Sequence, residues 1–174
     1  MSSTPIKSSK PDAKLLASVR KHLFSNSLPH EAEGLTGDAA VDAVALVTDV
    51  LARRAAGTIA TGLQTFADAQ GRRLMRLAVI NDDMPFLVDS VAAVISAHGL
   101  VIERLLHPIL HNVRDADGKI ISVAAKPGKD SVAESLIHME IERAEAKARG
   151  EILSQIENAL ADVRAAVSDW EAMK

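Results

Sequence analysis

Three carboxylates crowd one short stretch of the chain: Asp82, Asp83 and Asp89 fall within Asn81-Asp82-Asp83-Met84-Pro85-Phe86-Leu87-Val88-Asp89-Ser90. Carboxylates this close can work as acid and base or hold a divalent ion. They are equally what a helix start demands, since Asp accepts from free backbone N–H groups and suits the positive end of the helix dipole. Asp83 is the expected cap, with Pro85 in the first turn, where no donor is lost. A ligand carboxylate could meet that helix end, but the neighbouring acids oppose an anion and would have to meet an ammonium group. Asn81, Asp82, Asp83, Met84, Phe86 and Leu87 are the candidate ligand contacts.

His107, His111, His138 and Glu140 form the one constellation with metal-ligating chemistry. His138 and Glu140 would share a strand face, but the spacing fits no standard zinc pattern and Pro108 disturbs the register between the first two. Solvated or ladder-paired histidines are expected, with no metal. Ser90 and Ser135 lack a histidine and acid at useful spacing, so no nucleophile is expected. Trp170, the single tryptophan, lies on an apolar helical stripe and reads as an interface or core anchor.

The totals remove whole classes of function. A net charge of -3 and a pI near 6.1 supply no broad positive field for nucleic acid or anionic membrane. With no cysteine there can be no disulfide, thiolate nucleophile or Cys-type zinc site, and the cytoplasm is the expected compartment. The first residues have no signal-peptide core and no apolar run approaches membrane-spanning length.

The elements that must position these residues follow from periodicity. Residues 1–10 read as a disordered leader by composition, and 11–57 as a helical segment of two helices. The first, with Ser9 and Asp12 as a capping pair, runs to about Phe24; the second starts at Thr36 or Asp38 and carries Ala40, Val44, Val47, Leu51 and Ala55 on one face. From Thr58 the period changes to that of strands, which places a domain at 58–174. Thr58 to Phe66 is a weak strand. Arg73 to Ile80 is apolar on both faces and belongs inside a sheet. Leu87, Val91, Val94, Ile95 and His98 mark a helix stopped by Gly99. An extended run from Leu100 to Arg114 is interrupted by Pro108, and Asp115-Ala116-Asp117-Gly118 turns a hairpin into Lys119–Ala125. Ile137, Met139 and Ile141 alternate with His138, Glu140 and Glu142, as in a strand with one face on a core and one in water. Glu140 to Glu151 reads as a solvated connection. Ile152, Ile156, Leu160, Val163, Val167 and Trp170 make the final helix stripe. The sum is an α+β sandwich: a mainly antiparallel sheet with helices on one face, preceded by an N-terminal helical segment.

The string from Arg76 through Asn81-Asp82-Asp83-Met84-Pro85-Phe86-Leu87 to Val91 resembles the amino-terminal region of the large bacterial NAD-dependent glutamate dehydrogenases. His107-Pro108-Ile109-Leu110, Arg114-Asp115-Ala116-Asp117-Gly118, Glu134 to Ile141 and the helix ending at Trp170 extend the resemblance over residues 57–174. It implies an ACT-like βαββαβ module with a regulatory or assembly role and no catalytic residues. NAD would bind in the parent enzyme's catalytic domain, and no cofactor in this segment. The implied partners are the remainder of the parent polypeptide or neighbouring subunits, in a homo-oligomer, with an amino-acid effector as a further candidate ligand. A free-standing amino-acid sensor is the alternative. Effector-binding ACT domains often carry Pro-Gly at the first strand-to-helix turn, where this chain has Pro85-Phe86; a side chain there obstructs the approach that glycine permits.

Overall fold

A computed structural model describes residues 12–25 and 27–174; the expected leader and the cap contribution of Ser9 lie outside them. Helix α1 spans Ala13–Phe24 and opens on Asp12, whose side chain accepts from the Lys14 N–H at 3.1 Å. Helix α2 spans Gly37–Leu51 and follows Thr36. It stops short of the expected Ala55 because the chain at Arg53 leaves to form a β-bridge with Lys119. Six strands follow with two more helices: β1 Ala60–Ala67, β2 Arg73–Asp82, α3 Leu87–Ala97, β3 Ile102–Leu106, β4 Ile109–Arg114, β5 Ile120–Ala124, β6 Val132–Glu142 and α4 Ala146–Ala172.

All strand pairs are antiparallel, in the order β1-β2-β6-β4-β5, and β3 also pairs with β6. β3 and β4 are two halves of one run along the same flank of β6, parted at Pro108, whose carbonyl accepts the Leu136 N–H at 3.0 Å. The proline interrupts the ladder where its missing donor would have been. β2 lies inside the sheet, between β1 and β6, as its two apolar faces require. The sandwich order of strand, helix, strand, hairpin strand, strand and helix is present as β2 to α4, and β1 adds the outer strand beside β2.

The two faces of the sheet differ in chemistry. Met75, Leu77 and Val79 of β2 with Ile137, Met139 and Ile141 of β6 pack on Leu87, Val91 and Ile95 of α3 and Ile152, Ile156 and Leu160 of α4, an aliphatic layer. The opposite face is covered by α1 and α2, through Leu23, Val44, Val47 and Leu51 against Ile80, Leu106, Leu110 and Leu136. Gly62 of β1 sits where an added Cβ would come within 2.4 Å of Val50, so α2 lies close on this strand.

That second face also carries charge, which corrects the expectation of a water-facing side for β6. His138 has no exposure and Glu140 only 6%. Glu140 lies opposite Arg76 and Arg104 in the ladders, is hydrogen-bonded by Arg104, and Arg76 stacks 3.6 Å from the Phe66 ring centroid. Because β6 runs to Glu142 and α4 starts at Ala146, the expected solvated connection shrinks to a few residues. Neither ring nitrogen of His138 has a hydrogen-bond partner among the described residues.

Burial, with Arg76 and Arg104 nearby, lowers the His138 pKa from 6.5 to about 4. The folded chain therefore keeps this imidazole neutral over a range in which the unfolded chain protonates it. Stability should fall as pH drops from 6.5 toward 4, by on the order of 3 kcal/mol from this residue. His22, also lowered by burial, adds in the same direction. Urea titrations of His138→Leu against the parent chain should show a flatter dependence in this window; equal slopes would contradict the account.

Candidate functional site

At the end of the sheet where β2 meets α3, the side chains form a charged clamp with Glu134 at its centre. Glu134 has no solvent exposure. It accepts from Arg54 Nε at 2.9 Å, from Arg54 Nη2, from Asn112 Nδ2, and from Arg114 Nη2 at 2.9 Å and Nε at 3.0 Å. Every guanidinium nitrogen of both arginines donates: Arg54 Nη1 to the Thr58 carbonyl, Arg114 Nη1 to the Leu51 and Gly118 carbonyls. Burial acts to raise the Glu134 pKa, but the hydrogen bonds from Arg114, Asn112 and Arg54 outweigh it and hold the carboxyl below its ordinary value.

Asp82 extends the clamp to the other layer. It accepts from Arg54 Nη2 at 2.7 Å and Arg164 Nη1 at 2.8 Å, so one carboxylate ties the turn after α2 to α4 around the end of β2. Burial raises its pKa and the bonds from Arg164 and Arg54 lower it further, leaving it below the ordinary value. Gly118 closes the hairpin over the same spot at φ +80°, with its α-carbon so near Arg54 that a Cβ would lie 2.4 Å from that residue's carbonyl oxygen.

The six candidate contacts separate into different surroundings. Asn81 is buried and accepts from Arg164 Nη2 at 2.7 Å. Asp82 lines an open cleft of about 560 Å³ with Arg54, Arg114 and Glu134. Asp83 does not cap the helix: it accepts from Ser135 Oγ at 2.8 Å, and its N–H donates to the Ala133 carbonyl. Met84 packs on the aliphatic layer and Leu87 is inside it. The structure thus does not gather them around one cavity. The metal constellation is not assembled either: among the described residues no group of three or more His, Asp or Glu is placed to hold an ion.

Phe86 takes the helix-capping position, with no side-chain cap bond, in the left-handed conformation at φ 71° and ψ 8°. A non-glycine residue there costs about 1–2 kcal/mol. Phe86 is 67% exposed and Trp170 57%. With Pro85, Val163, Ala166 and Val167 they line an apolar groove of about 530 Å³. α4 is 27 residues, about 40 Å, long, and its fully buried positions end at Leu160; beyond that the stripe continues over this groove.

Sequence reasoning found Asp82, Phe86 and Trp170 but missed Arg54, Asn112, Arg114, Glu134 and Arg164 as a unit. A usable signal was in β6, where Glu134, Leu136, His138 and Glu140 alternate with a fully buried row in a strand flanked on both sides.

The family model described as "Glutamate dehydrogenase, ACT1 domain" matches residues 20–156. The chain belongs to this family. The ACT1 match therefore takes in α2 and the whole sheet, and stops within α4, before Trp170. Among curated relatives, the NAD-specific glutamate dehydrogenase of Halomonas elongata is 35% identical over 101 residues, and that of Pseudomonas aeruginosa 37% over 99 residues. These stretches are 56% and 55% of this chain but 6% of either relative, so the ACT1 chain corresponds to a small part of those proteins. No solved structure matches it at a significant level.

Two substitutions separate clamp from groove. Glu134→Gln leaves the half-buried Arg114 without its counter-charge and takes from the buried Arg54 one of two, Asp82 remaining, and should cost about 3 kcal/mol in urea unfolding; a loss under about 0.5 kcal/mol, as expected of an exposed Glu157→Gln control, would show the clamp to be unimportant. Phe86→Gly should leave stability unchanged or raise it by up to about 1 kcal/mol, because relief of the left-handed backbone offsets glycine's extra chain entropy and the residue is largely exposed. A clear loss of stability would mean that the ring is a core element.

Proposed function

We propose that this chain is a non-catalytic regulatory or assembly domain of a large NAD-dependent glutamate dehydrogenase, whose reaction is the oxidative deamination of glutamate to 2-oxoglutarate. The observation that carries this is the division of labour at the β2–α3 end. The buried ionisable side chains there are spent on one another, with each guanidinium nitrogen of Arg54 and Arg114 engaged, while the open groove beside them is lined by apolar groups, Phe86 and Trp170 among them. Saturated charge holds a scaffold; an open apolar groove suits contact with another surface.

On this reading NAD binds elsewhere in the parent polypeptide and none binds to this segment. Phe86 and Trp170 face the remainder of that polypeptide or a neighbouring subunit of a homo-oligomer in the cytoplasm. No helix among the described residues is long and apolar enough to cross a membrane, and the net charge of -3 offers nucleic acid little. The resemblance's alternative, an amino-acid sensor, is less well supported, because the ring of Phe86 stands at the turn where a ligand would approach bare backbone.

Glutamate and NAD supplied to the purified 174-residue chain should yield no NADH above a blank lacking protein. Addition of each amino acid at saturating concentration should leave the melting temperature unchanged, where a ligand at a hundred times its Kd would add about 2.7 kcal/mol. Turnover would overthrow the accessory role, and a melting shift would favour the sensor.

A further inference from the structure

The second half of α4 and the start of α3 surround the Phe86–Trp170 groove with acid. At about 100° per residue, Asp162 and Asp169 flank the Val163-Ala166-Val167-Trp170 stripe on one side and Glu171 on the other. All three are exposed, as is Asp89, three residues after Phe86 on the first turn of α3. Arg164, on the same stretch, is committed to Asp82 and Asn81. Lys174 places its Nζ 3.7 Å from the centroid of the Trp170 ring, so one face of this indole holds an ammonium group.

We propose that this groove docks a basic amphipathic helix. Apolar residues at i, i+3, i+4 and i+7 would seat against Phe86, Trp170 and the α4 stripe, and flanking Lys or Arg side chains would reach the carboxylates on either side. A second copy of this chain is the wrong occupant, because it would press the same acidic rim against itself. An anionic lipid surface is repelled for the same reason. The strained backbone at Phe86 fits this role: it turns an aromatic ring outward at the groove wall, where an incoming helix meets it. The inference deepens the accessory reading above by giving the chemistry of the partner that the open apolar surface receives.

Trp170, the single tryptophan, reports occupancy directly. Titration of the full chain with a designed helical peptide carrying leucines at helical spacing and lysines elsewhere should give a saturable blue shift of its emission. Raising the ionic strength should weaken binding. By anisotropy of the labelled peptide, Asp162→Lys with Asp169→Lys should weaken it roughly tenfold, a difference of about 1.4 kcal/mol. Phe86→Gly should weaken it to a similar degree without lowering the melting temperature, which separates lost contact from lost fold. A matched leucine–glutamate peptide should not bind. Equal binding of the acidic peptide, absence of a blue shift, or indifference to Phe86→Gly would overturn the proposal. So would a blue shift that grows with protein concentration alone, the mark of self-association. Failure of the lysine peptide while the dehydrogenase assay stays blank would sink only the partner chemistry; NADH production by the chain would sink the accessory role and leave the peptide result standing.

Discussion

A carboxylate with no access to water dictates how the layers of this domain meet. Taking Glu134 out of solvent costs several kcal/mol unless its lone pairs are filled, and Arg54, Arg114 and Asn112 fill them. The partners come from two places: Arg54 from the turn after α2, Arg114 and Asn112 from β4. The arginines bring their own demands, which the carbonyls of Leu51, Thr58 and Gly118 meet. Satisfying one buried charge thus fixes the exit of α2, the hairpin beyond β4 and the central strand β6 in a single arrangement. Asp82 carries the constraint around the sheet to α4 through Arg164.

The sheet owes its two characters to this. Toward α3 and α4 it presents chiefly Met, Leu, Val and Ile, with Asn81 and Ser135 at one end, a surface that attracts largely without direction. Toward α1 and α2 it adds Arg76, His138, Glu140 and Glu134, whose hydrogen bonds and charges accept few alternatives. The aliphatic layer supplies burial and the charged layer supplies register. A polar network of this sort is expensive where incomplete, and the unpartnered nitrogens of His138 and Arg76 mark where it is incomplete.

Periodicity made most of the elements legible. β2 was readable as a central strand because both of its faces are apolar, and the stripe from Ile152 to Trp170 as a helix because it repeats every three or four residues. Pro108 announced the break that separates β3 from β4. What stayed illegible was tertiary. His138 and Glu140 look like the wet side of a strand until α1 and α2 are known to cover them, and no local pattern tells that Arg54 and Glu134, 80 positions apart, will touch. Asp83 looked like the helix cap because Asp is the residue type that caps; the hydroxyl of Ser135 claimed it first.

Phe86 is where local preference and structure disagree most. Glycine would adopt φ 71° freely, and Asn or Asp more easily than a bulky aromatic. The strain is not repaid by burial, since the residue is largely exposed. It is not repaid by capping, since the side chain accepts nothing. What the residue does provide is an aromatic wall of the groove that Trp170 also lines, beside a helix that continues beyond the core it covers. A cost borne in the isolated fold, beside an exposed surface, is the pattern that the proposed docking of a partner helix would account for.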